Sequence, residues 1–425
     1  MTNTAPLVEA GRFVRETIGG RREELLGLLR TLVEIESHAT QPDGVRRVGA
    51  VVAAQLEEAG FACESVAGRP IPPGDSWLTE LMLPGGDYSE VAEAIVARKS
   101  GEETAVLLLG DLDTSYTPGA LARFPYRIED GRAFGPGVAD MKGGLTVLVG
   151  AARALRDTGL AAPAMTVVLS PDEQAGSLRS RGVIEEVADG SDWCLCLECA
   201  RDGGNLLATR AQVGVGRLDV AGREVHAGSA YGQGASAIRA LAEKVIAVEA
   251  LTDREREIYL SVGEIHGGRR RSVVPGSAHC TIDIRTRNAR DWAEVEEGLA
   301  AIAERLDVPG TTATLRVYSH RPAVDRPAGP LLEVARRAGS ALSISFEAQH
   351  SPAAGSSAFA AGVGIPTLDG MGPPGGDLMT QHEYVEVDGI FERAALLALT
   401  LHLLSVSSPV GGERDLVHPG ERSIA

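Results

Sequence analysis

The residues best suited to chemistry are acidic and fall in four clusters: Asp111 with Asp113, then Asp140, Glu173 and Glu198. Residues 104–109 form an apolar run that leads into Gly110-Asp111-Leu112-Asp113. Residues 165–170 lead into Pro171-Asp172-Glu173-Gln174, and residues 193–197 end at Glu198. Runs of this length and composition predict buried strands. One Asp at a strand end normally serves as a helix cap or turn residue. Four acidic clusters along one sheet edge call for more, because converging carboxylates hold metal ions or act as acid and base. Cys194, Cys196 and Cys199 surround Glu198 and offer thiolates, yet Cys194 and Cys196 share one strand face, which favours packing. The glycine-rich residues 372–376 lack the Lys-Ser/Thr of a phosphate loop and predict close backbone approach to a substrate.

The elements that must carry these residues follow from hydrophobic periodicity. Helical spacing covers residues 8–36, 46–60 and 143–157 and interleaves with the strands, which predicts an α/β sheet with chemistry at the strand C-termini. From about Val213 the texture becomes α+β: strands at 216–220, 259–264, 278–285 and 312–318, helices at 235–250 and 292–306. The α/β pattern resumes with a helix at 331–341, a strand at 364–368 and a helix at 387–404. One unit interrupted by another gives boundaries of 1–212, 213–322 and 323–425, with a polar, loosely ordered tail after Ser405.

Composition narrows the function. A chain of 425 residues supports two domains. Its 58 acidic and 41 basic residues give a net charge of -17, the wrong sign for a nucleic-acid binder. No apolar run reads as a membrane span and the start carries no signal pattern, so the expected setting is cytoplasmic with no membrane partner. Five cysteines, three of them crowded together, do not form a disulfide frame.

The motifs together resemble the zinc exopeptidase and deacylase family of carboxypeptidase G, acetylornithine deacetylase, succinyl-diaminopimelate desuccinylase and the aminoacylases. The resemblance runs from Leu32-Val33-Glu34-Ile35-Glu36-Ser37 through Gly110-Asp111-Leu112-Asp113-Thr114. It continues through Gly135-Pro136-Gly137-Val138-Ala139-Asp140-Met141-Lys142-Gly143-Gly144 and Pro171-Asp172-Glu173-Gln174-Ala175-Gly176-Ser177. Glu198, His226-Ala227-Gly228, Val273-Val274-Pro275, Asp283-Ile284-Arg285 and Gly364-Ile365-Pro366-Thr367 complete it. It implies a mixed-sheet α/β catalytic domain holding two zinc ions, with an inserted α+β lid that also dimerises. It also implies roles: Glu173 as general base, Asp113 as the residue orienting a metal ligand, His226 reaching across a homodimer to the carbonyl oxygen, and Arg285 gripping a substrate carboxylate.

The departures from that pattern fall on the metal ligands. Asp111 stands at a His position, Gln174 at a Glu position and Met379 at a His position, while Asp140 and Glu198 match. Ser272 replaces an Asn and Ser357 an Asp; these two, with Gly375 and Arg285, are the expected substrate contacts. His382, three residues beyond Met379, offers a substitute ligand. Gln supplies a neutral oxygen and Met a soft thioether, so the second metal site is expected to be lost. Asp111, Asp140 and Glu198 would hold at most one divalent ion (Mg, Mn or Zn), or none; three oxygen donors suit Mg, Mn or Ca better than zinc. The expected activity is hydrolysis or acyl transfer at an amide or acyl bond of a small, amino-acid-like, carboxylate-bearing substrate. A catalytically inactive binding protein of the same fold and an ordinary zinc hydrolase with unusual ligands are the alternatives.

Overall fold

In the strand Glu102–Asp111, Leu107 and Leu109 point to one face and Val106 and Leu108 to the other, and all four are buried. A strand apolar on both faces requires a layer on each. The computed structural model describes residues 5–71, 76–82, 88, 90–325 and 328–406. In it the helices Gly143–Thr158 and Val387–Val406 cover one face through residues such as Leu145, Leu148, Ala394 and Leu397. The helices Arg181–Asp189 and Ser357–Gly362 cover the other with Val183, Ile184 and Phe359, and Cys194 and Cys196 lie in that layer.

The central sheet has six strands in the order Ala62–Val66, Ala94–Lys99, Pro163–Ser170, Glu102–Asp111, Trp193–Cys196 and Thr367–Leu368. The last four run parallel to one another, and Ala94–Lys99 runs antiparallel to both of its neighbours, so the sheet is mixed. Asp111 pairs in register with Ser170, and Leu109 with Cys196, which brings three strand C-termini to one edge. The helical pattern over 8–36 divides at Gly19-Gly20-Arg21 into Ala5–Gly19 and Arg22–Val33, as adjacent glycines favour.

One expectation needs correction. The helix Val387–Val406 is long and apolar enough by composition to cross a membrane. Burial explains its character: Leu396, Leu397, Leu399 and Leu401 are core residues of the α/β unit. The tail from residue 407 onward lies outside the described residues.

A second sheet is antiparallel throughout, in the order Tyr259–Gly267, Ser277–Thr286, Gln212–Ala221 and Thr312–Arg321. Its two central strands alternate buried and half-buried residues because one face carries helices, Ala237–Glu249 and Ala289–Glu304. Both helices start on side-chain caps: Ser236 Oγ accepts from Arg239 N at 3.2 Å, and Asn288 Oδ1 from Asp291 N at 2.9 Å. Gly214 is obligatory here, since a Cβ would sit 2.1 Å from Trp292 Cη2 and 2.6 Å from Tyr318 O. Gly214→Ala is expected to destabilise this unit by roughly 1–3 kcal/mol through overpacking; an unchanged urea midpoint would contradict the packing.

Candidate functional site

The site grows from the parallel edge of the central sheet. Asp111 is the last residue of its strand and 1% exposed. Its Oδ1 accepts from Ser356 Oγ at 3.3 Å, and its Oδ2 has no hydrogen-bond partner among the described residues. Burial, followed by the charges of Glu173 and Glu198, raises its pKa well above the usual carboxylate value. Asp113, also buried, accepts from the backbone N–H of Glu173 and of Gln174, each at 2.9 Å. It thereby fixes the loop after Pro163–Ser170 that carries both side chains. Burial and Glu173 raise Asp113 as well.

Asp140 comes from a tight turn ahead of the helix Gly143–Thr158, not from a strand end as its sequence context suggested. Glu383 pins that turn: its Oε1 accepts from Ala139 N at 2.8 Å and Asp140 N at 3.1 Å, while Oε2 accepts from Met379 N at 3.2 Å and the Tyr116 hydroxyl. Burial, then Glu198 and Glu173, raises Asp140. Gln174 Nε2 donates both to Asp140 Oδ1 at 3.1 Å and to Glu173 Oε2 at 3.0 Å. Glu198, just past its strand, is pushed up to about 7 by burial despite Arg210 at 3.9 Å. Oxygen atoms of Asp111, Glu173 and Glu198 lie within 4.8 Å of one another.

Two buried arginines complete the electrostatics, and sequence reasoning named neither. Arg210 donates to Asp369 Oδ2 at 2.7 Å and to the carbonyls of Ala353 and Ala354 at 3.0 and 2.8 Å. Burial alone would raise Asp369, but the Arg210 guanidinium and the Ser357 hydroxyl, at 2.5 Å, hold it below its usual value. Arg321 closes the second sheet and reaches Glu173 Oε1 at 2.9 Å. As two of 41 basic residues with no motif around them, they carry no signal in the sequence; only the fold brings them to the cluster.

The structure therefore gathers Asp111, Asp113, Asp140, Glu173, Gln174 and Glu198 at one edge. Other expected residues sit elsewhere or turn toward the chain's own atoms. Met379 is 58% exposed, and its left-handed backbone is tied to Glu383 only through N–H. His382 is exposed, its N–H donating to Thr380 Oγ1 at 3.1 Å. Ser357 was expected on the substrate, but its hydroxyl serves Asp369. Gly375 pairs with Val385, and a Cβ there would sit 2.3 Å from Tyr384 O. Gly372 is crowded likewise by Leu197 O at 2.4 Å, so these glycines admit close passage of the chain itself.

The inserted unit holds the remaining candidates. Exposed His226 accepts at Nδ1 from Gly228 N at 3.1 Å and Ser229 N at 3.2 Å, which places the proton of the neutral ring on Nε2. Ser272 O accepts from Ala227 N at 2.9 Å and so buttresses the same turn. Arg285 is paired with Asp283 at 2.8 Å and donates to Pro352 O at 3.1 Å. Burial raises the thiols of Cys194 and Cys196 well above the usual value and that of Cys199 up to about 12, which disfavours their thiolate forms.

Comparison with known proteins agrees with this architecture. The chain is 26% identical over 379 residues to carboxypeptidase G2 of Pseudomonas sp., covering 87% of this chain and 86% of the relative. It is 27% identical over 371 residues to acetylornithine deacetylase of Myxococcus xanthus, covering 81% and 88%. Among solved structures, a tripeptidase from Staphylococcus aureus superposes with a TM-score of 0.73 at 16% identity, over 90% of this chain and 98% of its own. A dipeptidase from Saccharomyces cerevisiae does so with a TM-score of 0.69 at 15% identity, over 94% and 99%. Residues 107–403 match the model of peptidase family M20/M25/M40, and the chain belongs to that family.

Proposed function

We propose that the chain acts on an amide, or closely related acyl bond, of a small amino-acid-like molecule bearing a carboxylate. One divalent cation would serve where the family pattern has a zinc pair. The observation that carries this reading is the Gln174 amide, which donates to Asp140 and Glu173 together. A neutral donor stands where the pattern has an anionic ligand, and the exposed Met379 thioether does not replace the second imidazole. The donor set thus does not fit a zinc pair. One hard cation on Asp111, Asp140 and Glu198 is the reading kept: Asp111 Oδ2 is buried without a partner among the described residues, oxygens of Asp111, Glu173 and Glu198 lie within 4.8 Å of one another, and Asp140 adjoins that cluster through the Gln174 amide. When bound, such an ion supplies Lewis-acid polarisation of the acyl oxygen.

The chain's own residues would do the rest. Glu173 takes the proton of the attacking water or amine and returns it to the leaving nitrogen. Asp113 holds the Glu173 loop through two backbone N–H groups. His226 of the partner subunit, with its ring proton on Nε2, donates to the developing oxyanion. A homodimer through the inserted unit belongs to this reading, supported by exposed Ile238, Ile246, Tyr259 and Ile265 on that unit. The boundaries 1–212, 213–322 and 323–425, and a cytoplasmic setting, belong to it as well. Arg285, beside Asp283 on the same unit, is the group proposed for the substrate carboxylate.

A panel of N-acyl amino acids tests the reading, each assayed with Mn or Mg and compared with its carboxyl methyl ester. Turnover of the free acids and rejection of the esters is the expected result. Equal use of the esters would remove the carboxylate from the account.

A further inference from the structure

Arg321 is out of keeping with its position. It is the last residue of an antiparallel strand in the inserted sheet, yet it is 1% exposed and its guanidinium is spent on the catalytic-edge loop. Nη1 donates to Gly176 O at 2.7 Å. Nη2 donates to Glu173 Oε1 at 2.9 Å, Glu173 O at 3.2 Å and Ser177 Oγ at 3.1 Å. The guanidinium also lies 4.6 Å from the ring centroid of Phe359, which fixes its plane. One side chain thus joins the inserted sheet to both the backbone and the carboxylate of residue 173.

We infer that Arg321 is a positioning residue for Glu173, orienting its carboxylate from the inserted unit. The inference rests on the role proposed for Glu173 above. Arg321 holds Oε1 while Gln174 holds Oε2, each by one hydrogen bond. A carboxylate oxygen accepts more than one bond, so both remain open to a substrate proton while the group as a whole cannot rotate. A planar fork is suited to this: it grips carboxylate, carbonyls and hydroxyl at once, which a point-charge ammonium does less well. Because Arg321 belongs to the inserted sheet, displacement of that sheet would carry the carboxylate's orientation with it.

The test is the kinetics of Arg321→Met and Arg321→Lys beside Glu173→Gln, on a substrate the wild type turns over, with near-UV circular dichroism as the check on folding. Arg321→Met is expected to lower kcat by about 100-fold, the scale of an ångström of misplacement, with KM within threefold of wild type. Arg321→Lys, which keeps a donor, is expected to recover part of the loss. A rise in KM with kcat unchanged would make Arg321 a substrate contact and overturn the inference. So would wild-type kcat in Arg321→Met. If Arg321→Met does not fold, Arg321→Lys decides: wild-type kcat overturns the inference, and a lower kcat at unchanged KM supports it. Full activity of Glu173→Gln, by contrast, would sink the acid/base role of Glu173 itself.

Discussion

Glu173→Gln is expected to lower kcat by about 10²–10⁴-fold, the usual worth of a positioned acid/base, and to leave the fold intact. The amide matches the carboxylate in shape but cannot accept a proton from the nucleophile. Folding should persist because the loop is held by its backbone. Asp113 takes the N–H groups of residues 173 and 174, and Arg321 keeps the carbonyls of residues 173 and 176 and the Ser177 hydroxyl. The measurement is steady-state kinetics on the best N-acyl substrate, paired with thermal unfolding. A variant that turns over at the wild-type rate would transfer the proton chemistry to another residue.

Arg210→Met should have the largest effect on stability. Arg210 and Asp369 are 1% and 2% exposed, and Glu198 stands 3.9 Å from the same guanidinium. Removing the cation leaves one buried carboxylate stripped of its partner and a second without its nearest positive charge. Breaking a buried pair in this way costs about 3–5 kcal/mol. The double variant Arg210→Met with Asp369→Asn should recover much of that loss, because it removes the orphaned charge along with its partner. Urea unfolding of the two single variants and the double gives the coupling. Additive losses would show that the pair is energetically idle.

Much of the fold was legible because its strands are apolar runs closed by polar loops, and its helices carry 3.6-residue periodicity. The antiparallel edge was not: Ala62-Cys63-Glu64-Ser65-Val66 is short and mixed in polarity, and only its pairing with Ala94–Lys99 makes it a strand. The carboxylates were legible because each adjoins an apolar run or a glycine-rich motif. Arg210 and Arg321 were not, since their partners lie over a hundred residues away in sequence for Asp369 and Glu173 alike. Glu383 sat in plain view beside Tyr384-Val385, but nothing local announces that it accepts from the Asp140 turn. The glycines at 372 and 375 were read toward a ligand, whereas Leu197 O and Tyr384 O crowd them. Glycine reports that space is short, not what fills it.

The central proposal is that, with Gln174 and Met379 at two ligand positions of the family pattern, the chain holds a single ion on Asp111, Asp140 and Glu198. It is tested most directly by counting divalent ions per chain, after purification without chelators and again after dialysis against Zn, Mn and Mg. One ion per chain is the predicted result, lost in Asp111→Asn. Two zinc ions per chain would contradict it, and would make ligands of an amide that donates to Asp140 and Glu173 and of an exposed thioether.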